Sequence, residues 1–151
     1  GQYGYGYGIS YLKDALARIL GIDHTYEVII IGAGFLGKAI ANHAPTEKPT
    51  FIVQALFDID PQCIGTVTGG VPILDMQELE EYLSKHHIDI AVLTLPPGAA
   101  PGAAERLARA GVSGIWNFSS VDLKVTVPEV VIENVHLSDS LMTLSYYLNH
   151  K

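Results

Sequence analysis

A chain of 151 residues, 48% hydrophobic and 17% charged, has the makings of one domain with a real core, which excludes a disordered or fibrous protein. Nine Lys and Arg against sixteen Asp and Glu give a net charge of −7, a poor match to a DNA backbone or an anionic membrane surface. Cys63 is the single cysteine, so no intrachain disulfide forms and a reducing, cytoplasmic setting fits; no apolar run is long enough to span a bilayer.

The chain opens on Gly1-Gln2-Tyr3-Gly4-Tyr5-Gly6-Tyr7-Gly8, glycine alternating with aromatics. It has no starting Met, and neither the basic residue nor the apolar stretch of a signal peptide. The segment reads as a linker at the cut edge of a longer chain, or as a flexible tail. Ser10 caps a predicted helix whose stripe is Leu12, Ala15, Leu16, Ile19 and Leu20, with Gly21 as its stop. Tyr26 to Ile31 is a β-branched run expected of a strand covered on both faces. After a glycine-rich turn, Phe35 to His43 is predicted helical, and Phe51 to Phe57 forms a second strand ending at Asp58.

Asp60 to Gly70 is turn-rich, with a brief strand at Val71 to Leu74. Asp75 and Glu78 form a capping-box pair that opens a helix through Leu79, Tyr82 and Leu83. Ile88 to Leu95 is a third long strand, stopped by Pro96-Pro97. A helix over Pro101 to Ala110 ends at Gly111, followed by strands at Val112 to Phe118 and Val130 to Val135. Leu137 to Leu148 is a terminal helix. Strands alternating with helices predict a Rossmann-like α/β fold, a doubly wound, mainly parallel sheet with an extra helix at each end.

Gly32-Ala33-Gly34-Phe35-Leu36-Gly37 matches GxGxxG and stands where that pattern has meaning, between a predicted strand and a predicted helix. Gly32 permits the tight turn, Gly34 lets a pyrophosphate approach the backbone, and Gly37 lets the helix pack on the sheet. Asp58 ends the second strand, where a carboxylate accepts both ribose hydroxyls of NAD and repels the 2′-phosphate of NADP. The alternative is that it only caps the turn at Asp60-Pro61, but the glycine pattern and Asp58 together favour dinucleotide binding. Thr94-Leu95-Pro96-Pro97 ends the third strand as either a ligand shelf or a plain strand terminator. In Asn117-Phe118-Ser119-Ser120, an amide and a ring would suit a carboxamide and a nicotinamide face, while Phe118 is also an ordinary core residue.

Signals for catalysis are thin. His86-His87 is no metal pair, because adjacent helical side chains diverge and no further ligand spacing completes a site. Cys63 has no basic neighbour close in sequence to lower its pKa. No serine or cysteine lies in a nucleophile elbow, so the chain reads as a binder and not an enzyme. The alternatives are a fragment of an NAD-dependent dehydrogenase and a CoA-binding Rossmann-like domain; against the latter, Asp58 would repel the ribose 3′-phosphate of CoA. Leu137, Leu141, Leu144, Tyr147 and Leu148 form an apolar stripe with Met142 and Tyr146 beside it, suited to a subunit interface or to packing on its own domain.

Several further stretches together carry a resemblance. Gly4-Tyr5-Gly6-Tyr7, Val28 to Gly37, Phe57-Asp58-Ile59-Asp60-Pro61, Gly69-Gly70-Val71-Pro72, Thr94-Leu95-Pro96, Ala110 to Phe118, Val127-Pro128 and Val131 to Val135 come in this order. Over essentially its whole length the chain resembles the C-terminal, NAD(H)-binding part of the Rex family of bacterial redox-sensing transcriptional repressors. The resemblance implies cofactor contacts at the glycine turn, at Asp58 and Ile59, and at the strand ends above, with NADH and NAD+ as ligands. It implies a linker over 1–8, a Rossmann domain over 9–136 and a dimerisation helix over 137–151 that swaps into the partner of a homodimer. Family members bind operator DNA through an N-terminal winged-helix domain, which this sequence does not contain, and release it when NADH binds. They usually carry Asp where this chain has His136 and a basic residue where it has Tyr3, so the switch contact of that Asp is not carried over.

Overall fold

Tyr26 to Ile31 lies in the central strand of a seven-stranded sheet, and its apolar half, Val28 to Ile31, is buried as a strand covered on both faces requires, while Tyr26 and Glu27 are half-buried. The computed structural model describes residues 25–43, 50–135 and 144–149. The strands are β1 (Thr25–Ile31), β2 (Thr50–Asp58), β3 (Val67–Thr68), β4 (Val71–Asp75), β5 (Ile90–Leu93), β6 (Gly114–Asn117) and β7 (Val131–Asn134). Between them lie α1 (Phe35–Asn42), α2 (Leu79–Lys85) and α3 (Ala100–Arg109).

The strand order is β3-β4-β2-β1-β5-β6-β7, and every pairing but β3 with β4 is parallel. The chain therefore winds outward from β1 in one direction, then returns to β5 and winds in the other. Strand order reverses between β1 and β5, the crevice where sheets of this kind bind ligands. The Rossmann-like α/β fold expected from the alternating elements is the one observed.

The two faces of the sheet are covered differently. Ile29, Ile31, Ala55, Phe57, Ala91 and Leu93 form one face, packed under Leu79 of α2 and Leu107 of α3. Burial of a leucine of this kind contributes about 2–5 kcal/mol, judged by truncation. Val28, Ile30, Leu56 and Val92 form the other face, with Ile40 and Ala41 of α1 against it. Arg106 of α3 fastens the first face by donating to both Glu80 carboxylate oxygens, at 2.6 Å each, and to the carbonyl of Met76 at 2.8 Å.

Local signals explain most element ends. Asp75 and Glu78 form the expected capping box, with Gln77 N donating to Asp75 Oδ1 at 2.9 Å and Asp75 N to Glu78 Oε2 at 3.3 Å. It opens a 3₁₀ turn over Met76–Glu78 that runs on into α2. Gly111, at φ +97°, stops α3. The turn-rich stretch holds one element that the sequence reading passed over: β3 and β4 make a hairpin across Gly69-Gly70, both at positive φ. β5 and β6 are shorter than their apolar runs, yet the ladder continues past β5 in Asp89 N to Glu27 O and Thr94 N to Ile31 O, both 2.9 Å.

The helix predicted over Ser10 to Leu20, the linker at 1–8 with Tyr3, and His136, Leu137, Leu141 and Met142 lie outside the described residues. Residues 144–149 are helical, and Leu144, Tyr146, Tyr147 and Leu148 are exposed there. Among the described residues no helix is long and apolar enough to cross a membrane.

Candidate functional site

The ends of β2, β1, β5 and β6 meet along one edge of the sheet, and the glycine turn sits at its middle. Gly32 follows β1 at φ +107°, a conformation that other residues rarely hold, and its N–H donates to Phe57 O at 2.7 Å. The next amide, Ala33 N, donates to Asp58 Oδ2 at 2.7 Å. Gly34 caps α1 without a side chain, so the first-turn amides of Phe35, Leu36 and Gly37 have no acceptor within the helix. A Cβ at Gly34 would meet nothing within 4 Å, while one at Gly37 would lie 2.0 Å from Gly32 O. Gly34 therefore leaves open space above the helix start, and Gly37 lets that start press onto the turn.

Asp58 is more heavily engaged than its spacing implied. Besides Ala33 N, its carboxylate accepts Ile59 N at 2.6 Å and Asp60 N at 3.0 Å, both on Oδ1. A carboxylate offers about four acceptor positions, so roughly one, on Oδ2, is left for a ligand. That is fewer free positions than the two ribose hydroxyls of the sequence expectation would use, because the fold itself takes the others. Phe35 and Ile59 flank this corner with side chains 92% and 80% exposed, unusual for large apolar groups.

Across the crevice, the hydroxyl of Thr94 donates into the glycine turn, with Gly32 O at 2.9 Å and Ile31 O at 3.1 Å. Leu95 packs onto the core under α2 and α3, and the exposed Pro96 offers its carbonyl to Ala99 N and Ala100 N at 3.0 and 3.2 Å. Phe118 continues from β6, half-buried against the α1-side core, its ring tilted onto Trp116 at 4.8 Å.

Asn117 departs from its expected role. Its Nδ2 donates to Val121 O and to Asn134 Oδ1, both 2.7 Å, and its Oδ1 accepts Ser119 N at 2.9 Å and Ser119 Oγ at 2.7 Å. All four hydrogen-bonding positions are taken, and the residue is fully buried. The amide is thus a staple between β6, the 119–123 loop and β7, not a group presented to a carboxamide, and the buried Ser119 belongs to the same staple. Asn134, which also accepts Leu123 N at 3.2 Å, completes the network. It lies in the Val131 to Val135 stretch, but no sequence signal assigned it this role, because only the β6–β7 register sets it beside Asn117.

Other titratable groups stand apart. His86 stacks on Tyr82 at 4.0 Å, whereas His87 pairs with Asp89 at 2.8 Å, so the two rings take separate partners. Among the described residues no cluster of His, Cys, Asp and Glu could hold a metal ion. Desolvation, together with the Asp60 carboxylate 3.6 Å away, pushes the Cys63 thiol up and away from a reactive thiolate. A groove of about 400 Å³ between α2 and α3, lined by Glu80, Ser84, Arg106, Arg109 and Ala110, includes none of the strand-end residues.

Residues 23–121 match the family of CoA binding domains. Over its full length the chain is 50% identical to the redox-sensing transcriptional repressor Rex of Caldanaerobacter subterraneus subsp. tengcongensis, covering 67% of that protein. The crystal structure of RSP, a Rex-family repressor, in complex with β-NAD+ and operator DNA superposes with a TM-score of 0.81 at 48% identity, over 99% of this chain and 69% of that one. RSP in complex with β-NADH gives a TM-score of 0.80 at 46% identity, over 94% of this chain and 68% of that one. The chain thus spans about two thirds of the length of these relatives, which are transcriptional repressors and not enzymes. A CoA-binding-type Rossmann domain with these relatives over its whole length belongs to the Rex family of redox-sensing transcriptional repressors.

Proposed function

We propose that this chain binds NADH and NAD+ at the β1/β5 crevice and is the nucleotide-sensing part of a redox-responsive repressor. The observation that carries the reading is the glycine turn, anchored on both flanks by Asp58 and Thr94, with α1 starting at an uncapped Gly34 beside which there is open space. The pyrophosphate meets the amides of Phe35, Leu36 and Gly37, where the helix dipole favours negative charge. Asp58 accepts one hydroxyl of the adenosine ribose, and Ile59 beside it offers an apolar surface to the base. Leu95, Pro96 and Phe118 line the nicotinamide half. When bound, the nicotinamide supplies a redox state to be read; the described strand-end residues, Thr94 to Pro96 and Asn117 to Ser119, carry no titrating group to act as the proton donor that a dehydrogenase needs at the same place. The RSP complexes, with NADH in one and NAD+ and operator DNA in another, support the same ligands and a DNA-linked readout; a bacterial repressor of this kind would act in the cytoplasm, where its DNA lies.

Titrating the chain with NADH and NADPH by fluorescence tests this. NADH binds, NADPH binds at least about tenfold more weakly, and Asp58→Asn narrows that gap by removing the charge facing the 2′-phosphate. Equal affinity for both in the parent chain overturns the role of Asp58. CoA remains the second reading because the matched domain family carries that name. Asp58 opposes its ribose 3′-phosphate as well, so CoA should not displace NADH.

The same reading divides the chain into a linker over 1–8, a nucleotide-binding domain over 9–136 and a dimerising helix over 137–151. The helical residues 144–149 support the last of these, since Leu144, Tyr147 and Leu148 are 55–66% exposed, large apolar groups of the kind a subunit interface covers. Sedimentation of the chain should give a homodimer, and Leu144→Ser with Leu148→Ser should shift it to monomer. A monomeric parent at micromolar concentration rules this assembly out.

A further inference from the structure

The Thr94 hydroxyl does not face the crevice as a ligand contact would; it is wedged into the glycine turn. Its single proton lies between Gly32 O at 2.9 Å and Ile31 O at 3.1 Å, while Thr94 N donates to Ile31 O at 2.9 Å. The same oxygen lies 2.6 Å from where a Cβ on Gly32 would be and 3.2 Å from one on Gly37. Thr94 thus touches both the glycine that makes the turn and the one that admits the helix. On the opposite flank Asp58 holds the next amide, Ala33 N.

We propose that Thr94 is a positioning residue that fixes the Gly32 carbonyl against the end of β5, and thereby sets the α1 amides where the dinucleotide pyrophosphate meets them. The role rests on the dinucleotide reading above. A carbonyl released from this bond is free to rotate, and the peptide plane that follows it carries Ala33 N, the donor to Asp58. Loss of the hydroxyl therefore loosens the turn from one side and its tie to Asp58 from the other. Thr94 acts through the turn, so every ligand that carries the pyrophosphate is affected alike, whatever its nicotinamide end.

Thr94→Val and Thr94→Ser in the 151-residue chain test this, with NADH read by fluorescence, ADP-ribose by displacement of NADH, and thermal midpoints recorded alongside. Thr94→Val should weaken NADH and ADP-ribose by the same factor, about tenfold, measured well below its melting midpoint. Thr94→Ser, which keeps the hydroxyl, should restore both to within about twofold of the parent. Thr94→Ala adds no methyl against Gly32 and takes the place of the valine variant should that one not fold. A loss confined to NADH overturns the proposal in favour of direct contact with the nicotinamide half. A lowered midpoint with unchanged affinities also overturns it, as does a serine variant as weak as the valine one. A parent chain that binds neither ligand overturns the dinucleotide reading itself, and this role with it.

Discussion

Two groups of strand ends in this sheet use polar side chains in opposite ways. At β2, β1 and β5, Asp58 and Thr94 hold backbone atoms of the glycine turn, and the helix amides beyond it are left without partners in the fold. At β6 and β7, Asn117, Ser119 and Asn134 bond to one another and to the 121–123 backbone until no capacity of Asn117 is left. Both clusters sit at C-terminal strand ends, where a Rossmann-like sheet places ligands. Position at a strand end therefore does not make a binding group. What separates site from staple is whether donors or acceptors remain after the fold has taken its share.

The strongest way to break the first cluster is Gly37→Ala. Its Cβ would lie 2.0 Å from Gly32 O, so the helix start must move off the turn. Overpacking of this kind costs about 1–3 kcal/mol, and here the displaced groups are the amides proposed to meet the pyrophosphate. NADH binding should drop below detection in a chain that still shows a cooperative thermal transition. Retained affinity would show that the turn tolerates displacement and is not the anchor.

Asn117→Ala attacks the second cluster. It leaves the Ser119 amide without an acceptor and Ser119 Oγ and Val121 O with only the 3.3 Å bond between them, so denaturant unfolding should show a loss of about 1–3 kcal/mol. NADH affinity of the folded fraction should stay within about twofold of the parent. A selective loss of NADH binding would instead return Asn117 to the ligand contacts.

The smallest effect belongs to a surface pair in neither cluster. Arg106 beside Glu80 holds that carboxyl below the usual range, chiefly through its hydrogen bonds. A depressed folded-state pKa gives stability that is present above the unfolded value and lost as pH falls through the folded one. The Glu80 and Arg106 side chains are 53% and 36% exposed, which screens the pair to about 0.5 kcal/mol. Glu80→Gln should cost about that much at pH 7 and nothing near pH 3 in parallel denaturant melts. Equal costs at both pH values would assign the effect to packing between α2 and α3 and not to charge.

Elements carried by local chemistry were legible before any coordinates. β1 followed from its β-branched run, the start of α2 from Asp75 and Glu78, and the end of α3 from Gly111, because each depends on residues within a few positions. The β3–β4 hairpin had its signal too, in Gly69-Gly70, but two-residue strands carry no periodicity to flank it.

The sequence by itself determined the alternation of strands and helices, and hence the parallel, doubly wound sheet with a glycine turn after its first strand. Only the tertiary structure decided what the polar strand-end residues do. Asp58 meets Ala33 from 25 residues away, Thr94 meets Gly32 from 62, and Asn117 meets Asn134 from 17. Those meetings are set by which strands lie side by side and in what register. A hydrogen bond needs its partner within about 3 Å, and no local pattern along the chain specifies that distance for residues on different strands.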